Sequence, residues 1–282
     1  YFFHLFMFCC LDTIRAMWVY LNNQFVSKDD ANVSIYDLGF MRSFGIFEFA
    51  RVYDGQIFRL KDHLSRFFAS ADSLGIRVPF TPLEITQLCD ELVKKNKMLN
   101  TGIKLVLSGG IGDFAPAGMP TFAILPASLR PPTQTLKVMT HIYERFLPSC
   151  KTLNYLPAIL ARQKMISAGF DEPLFLDCNR NVLEGARENF FAVKGNQLIT
   201  ADEGVLGGVT RAVVLEMVDV EVRTLPYDEL KECDGAFFTS TVREIAPITQ
   251  IDDMHFEVPQ VILDLQSLFK DKTCQAVQTL HP

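Results

Sequence analysis

The chain has 282 residues, about half of them hydrophobic, 24 of them phenylalanine and 21% charged, a composition that excludes a disordered chain and indicates a globular one. At roughly 100–200 residues per domain, that length predicts one large or two modest domains. The formal net charge is −6, with lysines and arginines spread along the chain and not in runs, which argues against nucleic acid as a partner.

Seven cysteines at irregular spacing, with no C-x-x-C pair, indicate neither a disulfide framework nor a zinc site, so a reducing cytoplasm is the expected compartment. The apolar stretch Tyr1 to Leu11 lacks a basic leader and a small-residue cleavage site. It reads as sequence upstream of a start at Met17, with a short hydrophobic contact segment as the alternative. About 20 apolar residues are needed to span a bilayer, and no run approaches that, so no membrane partner is expected.

In chain order, Trp18 to Val26 reads as a hairpin around Asn22-Asn23. The runs Ile46 to Tyr53 and Gln56 to Leu60 flank Asp54-Gly55, a dipeptide that accepts the positive φ of a hairpin turn. A helix follows over Asp62 to Leu74, stopped by Gly75, with Leu64, Phe67, Phe68, Ala71 and Leu74 on one face. Thr81-Pro82-Leu83-Glu84 is a capping box with proline at the first helical position, and Ile85, Leu88, Cys89, Leu92 and Val93 continue it as an apolar stripe.

Strands at Ile103 to Leu107 and Thr121 to Ala127 complete a first domain, 17–128. The segment 129–134, with Pro131 and Pro132, is the expected linker, since paired prolines disfavour helix and central strand alike. The second domain, 135–282, opens with a strand at Leu136 to Tyr143 and a helix from about Asn154 to Ala168. Short strands follow at Leu174 to Cys178, Asn181 to Leu183, Asn189 to Val193 and Gln197 to Thr200, then a helix from Thr210 to Val218. Strands at Glu221 to Leu225, Ala236 to Thr239 and Ile248 to Ile251 precede a last helix from Pro259 to Phe269. Two α+β domains are predicted.

Among the motifs, Gly207-Gly208-Val209-Thr210 lies where a loop enters a helix, whose free N–H groups and dipole favour an anion; an ordinary turn is the plainer reading. Phe238-Thr239-Ser240-Thr241 ends an apolar strand in hydroxyls, which suit either a turn or a phosphate. Glu184 interrupts an apolar stretch, and acids in such surroundings are rare unless paired. No Gly-x-Ser-x-Gly, Walker, Rossmann or His-Glu-x-x-His pattern occurs, and the five histidines are isolated, so no metal site is expected.

Taken together and in this order, the segments from Trp18 to Phe269 resemble the class IV aminotransferases, a group that includes D-amino-acid transaminases, branched-chain transaminases and aminodeoxychorismate lyases. The resemblance implies a two-domain fold-type IV enzyme, mixed α/β, dependent on pyridoxal phosphate and dimeric. It implies that Lys151, in Lys151-Thr152-Leu153-Asn154-Tyr155, forms the Schiff base, and that Tyr155 reaches the cofactor's phenolate oxygen. It implies that Glu184 faces the pyridine nitrogen, and that Arg66, Val209, Thr210 and Thr241 bind the phosphate. The chemistry agrees: burial lowers a lysine's pKa enough for the amine to attack a carbonyl, and the freed amine can then move the α-proton.

One stretch departs from the pattern. Familiar D-amino-acid transaminases carry arginine in the loop after the strand matched by Leu105 to Ser108, whereas Ile111 to Pro116 holds no basic residue. Arg42 and Arg187 stand where common patterns have other residues, as in a D-transaminase-like subgroup, and are expected to hold the substrate α-carboxylate as planar forks. The alternative pairs Arg187 with Glu188 or Glu184 and leaves Arg42 on the surface. The expected reaction is amino transfer between an amino acid, of D configuration in this reading, and a 2-oxo acid such as 2-oxoglutarate or pyruvate. A branched-chain L-transaminase and an aminodeoxychorismate lyase are the alternatives.

Overall fold

The computed structural model describes residues 17–129 and 135–278. Its first part is a six-stranded antiparallel sheet in the order β2-β1-β6-β5-β3-β4, made of β1 (Trp18–Leu21), β2 (Gln24–Ser27), β3 (Gly45–Tyr53), β4 (Gln56–Ile57), β5 (Thr101–Ser108) and β6 (Thr121–Ala127). Both expected hairpins form, for the expected reason. Asn22 and Asn23 have φ of 43° and 54°, and Asp54 and Gly55 have φ of 45° and 79°, the left-handed pairs that match the twist of two adjoining strands.

Alternation along β3 decides what faces where. Ile46, Glu48, Ala50 and Val52 are buried against the helices α2 (Leu60–Ser73) and α3 (Pro82–Asn96), while Phe47, Phe49, Arg51 and Tyr53 point the other way. Leu64, Phe67 and Ala71 of α2 and Ile85, Cys89 and Leu92 of α3 fill that core with Phe122, Ile103 and Leu105. The capping box on α3 is present with both reciprocal bonds: the Glu84 N–H donates to Thr81 Oγ1 and the Thr81 N–H donates to Glu84.

The second part is a nine-stranded sheet that closes on itself. Its strands are β7 (Leu136–Ile142), β8 (Glu172–Leu176), β9 (Val182–Gly185), β10 (Asn189–Lys194), β11 (Gln197–Thr200), β12 (Val220–Val222), β13 (Gly235–Ser240), β14 (Glu244–Ile251) and β15 (Met254–His255). The path β12-β11-β10-β13-β14-β7-β8-β9 returns to β10 through the pair Asn189–Glu184. The interior is apolar, with Leu136, Val138, Leu174, Phe190, Phe238 and Ile248 fully enclosed. Two helices, α5 (Val209–Met217) and α6 (Gln260–Gln278), pack on the outer face through Val213, Val214, Ile262, Leu265 and Phe269. Between β7 and β8 lies α4 (Leu156–Ser167).

Several expected bounds need correction, among them the strand expected at Ile248 to Ile251, which begins four residues earlier at Glu244. The second strand of the Asp-Gly hairpin stops at Ile57, because Arg59 turns left-handed at φ 54° and pairs with Asp62 and with Glu216 of α5, starting α2 at Leu60. The strand expected at Glu221 to Leu225 ends at Val222, where Arg223 folds onto Glu229 and Leu225 is buried as loop. The last helix runs nine residues beyond Phe269, keeping Thr273 buried where the apolar pattern had already faded. The short helix α1 (Leu38–Arg42), capped by Asp37, was not anticipated. The expected linker falls outside the described residues except for Leu129, as does the apolar segment 1–11.

Candidate active site

Lys151 follows β7 by a loop but is stitched to the other sheet. Its carbonyl accepts the Phe47 N–H at 2.9 Å, its own N–H donates to Ser70 Oγ of α2 at 3.2 Å, and Thr152 bridges Ile46. This places the side chain where the two sheets meet, with Nζ 4.7 Å from the centre of the Phe47 ring. Enclosure by protein, and next the Arg66 guanidinium, push the ammonium down from 10.5 to about 7, so a large share of the amine is neutral and nucleophilic at neutral pH.

Around Lys151, one cavity is lined by Arg66, Arg145, Tyr155, Glu184, Arg187, Val209, Thr210, Thr239 and Thr241, among others. Eight of the nine expected site residues therefore converge: Lys151, Glu184, Arg66, Tyr155, Val209, Thr210, Thr241 and Arg187. Residues drawn from 66 to 241 are brought together because one sheet supplies α2 and the other supplies the closing strands.

Glu184 sits on β9, where the sheet closes. It accepts bonds from Arg145 Nη1 at 2.9 Å, the Leu206 N–H at 3.0 Å and Asn189 Nδ2 at 3.3 Å. Burial pushes its carboxyl up, while Arg145 and the Leu206 N–H pull it back towards the charged form. Asn189 also bonds the Leu206 carbonyl at 2.7 Å, tying the acid to the loop before α5. That packing is why residue 208 is glycine: a Cβ there would lie 1.9 Å from Asn189 Oδ1.

The far end of the cavity is built for an anion. Among the described residues no side chain caps the N-terminus of α5, and its cap Gly208 lines the cavity together with Val209 and Thr210. Among the described residues Thr239 Oγ1, buried there, has no hydrogen-bond partner, and Ser240 and Thr241 lie alongside. Arg66 supplies the positive charge, donating to the Gly207 carbonyl at 2.8 Å and anchored by Glu48. An orphan hydroxyl, an uncapped helix and a guanidinium suit a phosphate monoester. With a depressed lysine and a buried acid beside them, they fit pyridoxal phosphate, the cofactor that the resemblance implies.

The two arginines expected at the substrate carboxylate fare differently. Arg187 lines this cavity and a larger neighbouring one of about 630 Å³. It bonds Glu172 at 2.9 Å and also pairs with Glu188, one of the two acids expected, at 4.0 Å, while its backbone N–H donates to Glu188 at 2.9 Å. Arg42 lines neither cavity. It lies on α1, half-exposed, 3.7 Å from Asp113 and over the Phe114 ring.

The structure adds residues that the sequence reading missed. Arg145 gave no signal, being a lone arginine in an irregular stretch. Glu48 did give one: it occupies the buried phase of an alternating strand, between Ile46 and Ala50. Glu172, fully buried, collects Arg162, Arg187 and Arg243 beside the larger cavity. Burial works against its charge, but the three guanidiniums outweigh it and hold the carboxyl low. They leave Glu188, buried beside it, pushed up by burial and by the Glu172 charge.

A family model described as amino-transferase class IV matches residues 45–251. A "Putative branched-chain-amino-acid aminotransferase" of Methanocaldococcus jannaschii is 33% identical over 276 residues, covering 90% of this chain and 96% of the relative. The D-alanine aminotransferase of Staphylococcus epidermidis is 29% identical, covering 86% and 92%. Among solved structures, the T.th. branched-chain amino acid aminotransferase complexed with N-(5'-phosphopyridoxyl)-L-glutamate superposes with a TM-score of 0.85 at 26% identity, covering 92% and 94%.

Proposed function

The chain belongs to the class IV aminotransferases, pyridoxal-phosphate-dependent enzymes, and from that premise we propose that it moves an amino group between a D-amino acid and a 2-oxo acid such as 2-oxoglutarate or pyruvate. The observation that carries the reading is Lys151: an enclosed amine with its pKa brought to about 7, between an anion cradle and a buried acid.

When bound, the cofactor supplies an aldehyde that condenses with amines and a protonated ring that accepts the electron pair left at Cα. In this reading Arg66, the N–H groups of Val209 and Thr210, and the hydroxyls of Thr239 and Thr241 hold its phosphate. Glu184, steadied by Arg145 and Asn189, keeps a proton on the ring nitrogen. Tyr155 donates to the phenolate oxygen. Lys151 Nζ removes the proton from the substrate's Cα and returns it on the product side. Arg187, anchored by Glu172, receives the α-carboxylate. The D preference rests on the Arg42 and Arg187 pattern, which in this reading takes the place of the arginine missing from Ile111 to Pro116.

Arg42 lines neither cavity of its own chain, so its role requires a second copy. A homodimer supplies one, and the exposed Phe40, Ile111, Phe114 and Met119 beside Arg42 form an apolar face suited to such an interface. We read the chain as two domains, 17–128 and 135–282, joined by 129–134.

A branched-chain L-transaminase is the second reading, favoured by the Methanocaldococcus jannaschii relative. A spectral titration of purified holoenzyme against D- and L-amino acids separates them. Conversion of the aldehyde absorbance to the amine form by D-alanine or D-glutamate supports the proposal. Conversion by L-valine or L-leucine alone transfers support to the second reading. If no amino acid converts it, amino transfer is wrong and a lyase such as aminodeoxychorismate lyase gains. Arg187→Ala is expected to raise KM for amino and 2-oxo acids together; unchanged KM values remove Arg187 from the carboxylate site.

A further inference from the structure

Glu244 opens β14 with φ at 58°, a backbone angle that residues other than glycine keep only where their surroundings impose it. It faces Ser240 at the end of the β13–β14 ladder, and residues 241–243 form the turn between them. Ser240 and Thr241 line both cavities, and Val242 and Arg243 line the larger one, so this turn is part of the wall that the two share. Within it, the Arg243 N–H donates to Ser240 Oγ at 3.1 Å.

The grip on Glu244 comes from the other sheet. Arg51 and Tyr53 stand two residues apart on β3 and therefore on one face, the one turned away from the helices. Arg51 Nη1 and the Tyr53 hydroxyl both reach Glu244 Oε1, each at 2.7 Å, and Arg51 Nη1 also donates to the Val242 carbonyl at 3.4 Å. The Arg51 guanidinium lies over the Tyr53 ring, 4.7 Å from its centre, which keeps the two donors side by side. Burial, and next the Glu244 charge, raise the Tyr53 pKa, so the phenol keeps its proton and donates. The same strand fixes the rest of the site: the Phe47 N–H holds the Lys151 carbonyl, and Glu48 holds Arg66.

Granted that Thr239 and Thr241 help to hold the cofactor phosphate, on which it rests, we propose that Glu244 is a positioning residue. Gripped by Arg51 and Tyr53, it sets the 240–243 turn against β3, and so holds the hydroxyls of Ser240 and Thr241 in register with Arg66 and Lys151. Hydrogen bonds weaken beyond about 3.2 Å, so a turn displaced by an ångström would lose an anion that Arg66 and α5 still hold. Glu244 itself touches no phosphate in this arrangement; it acts through the turn.

The test titrates full-length protein, freed of cofactor, with pyridoxal phosphate and with pyridoxal, which has the same ring and aldehyde but no phosphate, and follows the visible absorbance. Glu244→Gly suits the left-handed backbone and removes only the carboxylate, while Tyr53→Phe removes one donor and leaves the turn sequence untouched. The dissociation constant for pyridoxal phosphate is expected to rise about tenfold to a hundredfold in Glu244→Gly and about threefold to tenfold in Tyr53→Phe, with that for pyridoxal unchanged. Glu244→Gln keeps an accepting oxygen and should recover much of the loss. Equal losses for the two compounds, or no loss for pyridoxal phosphate in either variant, overturn the proposal and leave amino transfer intact. A wild type that binds pyridoxal phosphate no more tightly than pyridoxal removes the premise and the proposal together.

Discussion

Replacing Glu48 with glutamine removes one charge from a place that water does not reach. Glu48 is fully buried, accepts from Arg66 Nε at 2.7 Å and Nη2 at 2.8 Å, and lies 2.8 Å from His63 Nδ1. Burial works to raise this carboxyl, but Arg66 and His63 outweigh it and hold it at about 2, against an ordinary value of 4.5. That fall corresponds to roughly 3 kcal/mol of stability, and breaking a buried pair by removing one partner costs about 3–5 kcal/mol. Because the folded value lies below the unfolded one, the stabilisation is complete well above pH 4.5 and is lost as pH falls through 2. Glutamine does not titrate, so the gap between wild type and Glu48→Gln should follow that curve. Urea unfolding should give a difference of about 3 kcal/mol at pH 7, shrinking by roughly 2 kcal/mol by pH 3. A gap below about 1 kcal/mol at pH 7, or one that is the same at both pH values, would refute the reasoning.

Other perturbations draw on the same geometry. The folded pKa of Lys151 lies below its unfolded value, so its charge is a burden that is full below about pH 7 and lifts as pH rises towards 10.5. Lys151→Met should therefore abolish turnover yet stabilise the cofactor-free protein at pH 6, the gain fading by pH 10, as thermal unfolding would measure. Capture of pyridoxal phosphate by the wild type should accelerate with pH through about 7 and then level; a rise centred near 10 would contradict the enclosed amine. Glu184→Gln should slow single-turnover amino transfer about a hundredfold or more while inorganic phosphate still binds at α5; loss of both would mean a structural role only. Thr81→Ala removes the capping box of α3 and should cost about 1 kcal/mol in urea unfolding, with kinetic constants unaltered.

Much of the scaffold was legible in the residues because it depends on local chemistry. Asn22-Asn23 and Asp54-Gly55 accept the left-handed turns that hairpins need, and Thr81 to Glu84 satisfies the first turn of α3 by itself. The strands at 121–127 and 197–200 formed with the expected bounds, since their apolar runs end in turn residues. Misjudged elements were those whose ends depend on distant partners. Arg59 begins α2 early because Glu216 lies across from it, and α6 outlasts its apolar pattern.

For the site, the division is sharper. Eight of the nine residues expected there meet around one cavity, yet no spacing in the chain states that 66, 151, 184 and 241 are neighbours. That information entered through resemblance. What the chain by itself determined was which residue types were available: an amine, a lone acid in an apolar stretch, a glycine-led helix start and a hydroxyl cluster. Only the tertiary structure decided their states. Enclosure between two sheets brings the Lys151 amine to about 7, Arg145 reaches Glu184, and Glu172 binds three arginines at once. It also decided that Arg42 stays outside the cavity of its own chain and that Glu244 meets Arg51 and Tyr53 of the other sheet. A side chain's type is a property of the chain, whereas its charge depends on solvation and on which opposite charges lie within a few ångströms, and folding sets both.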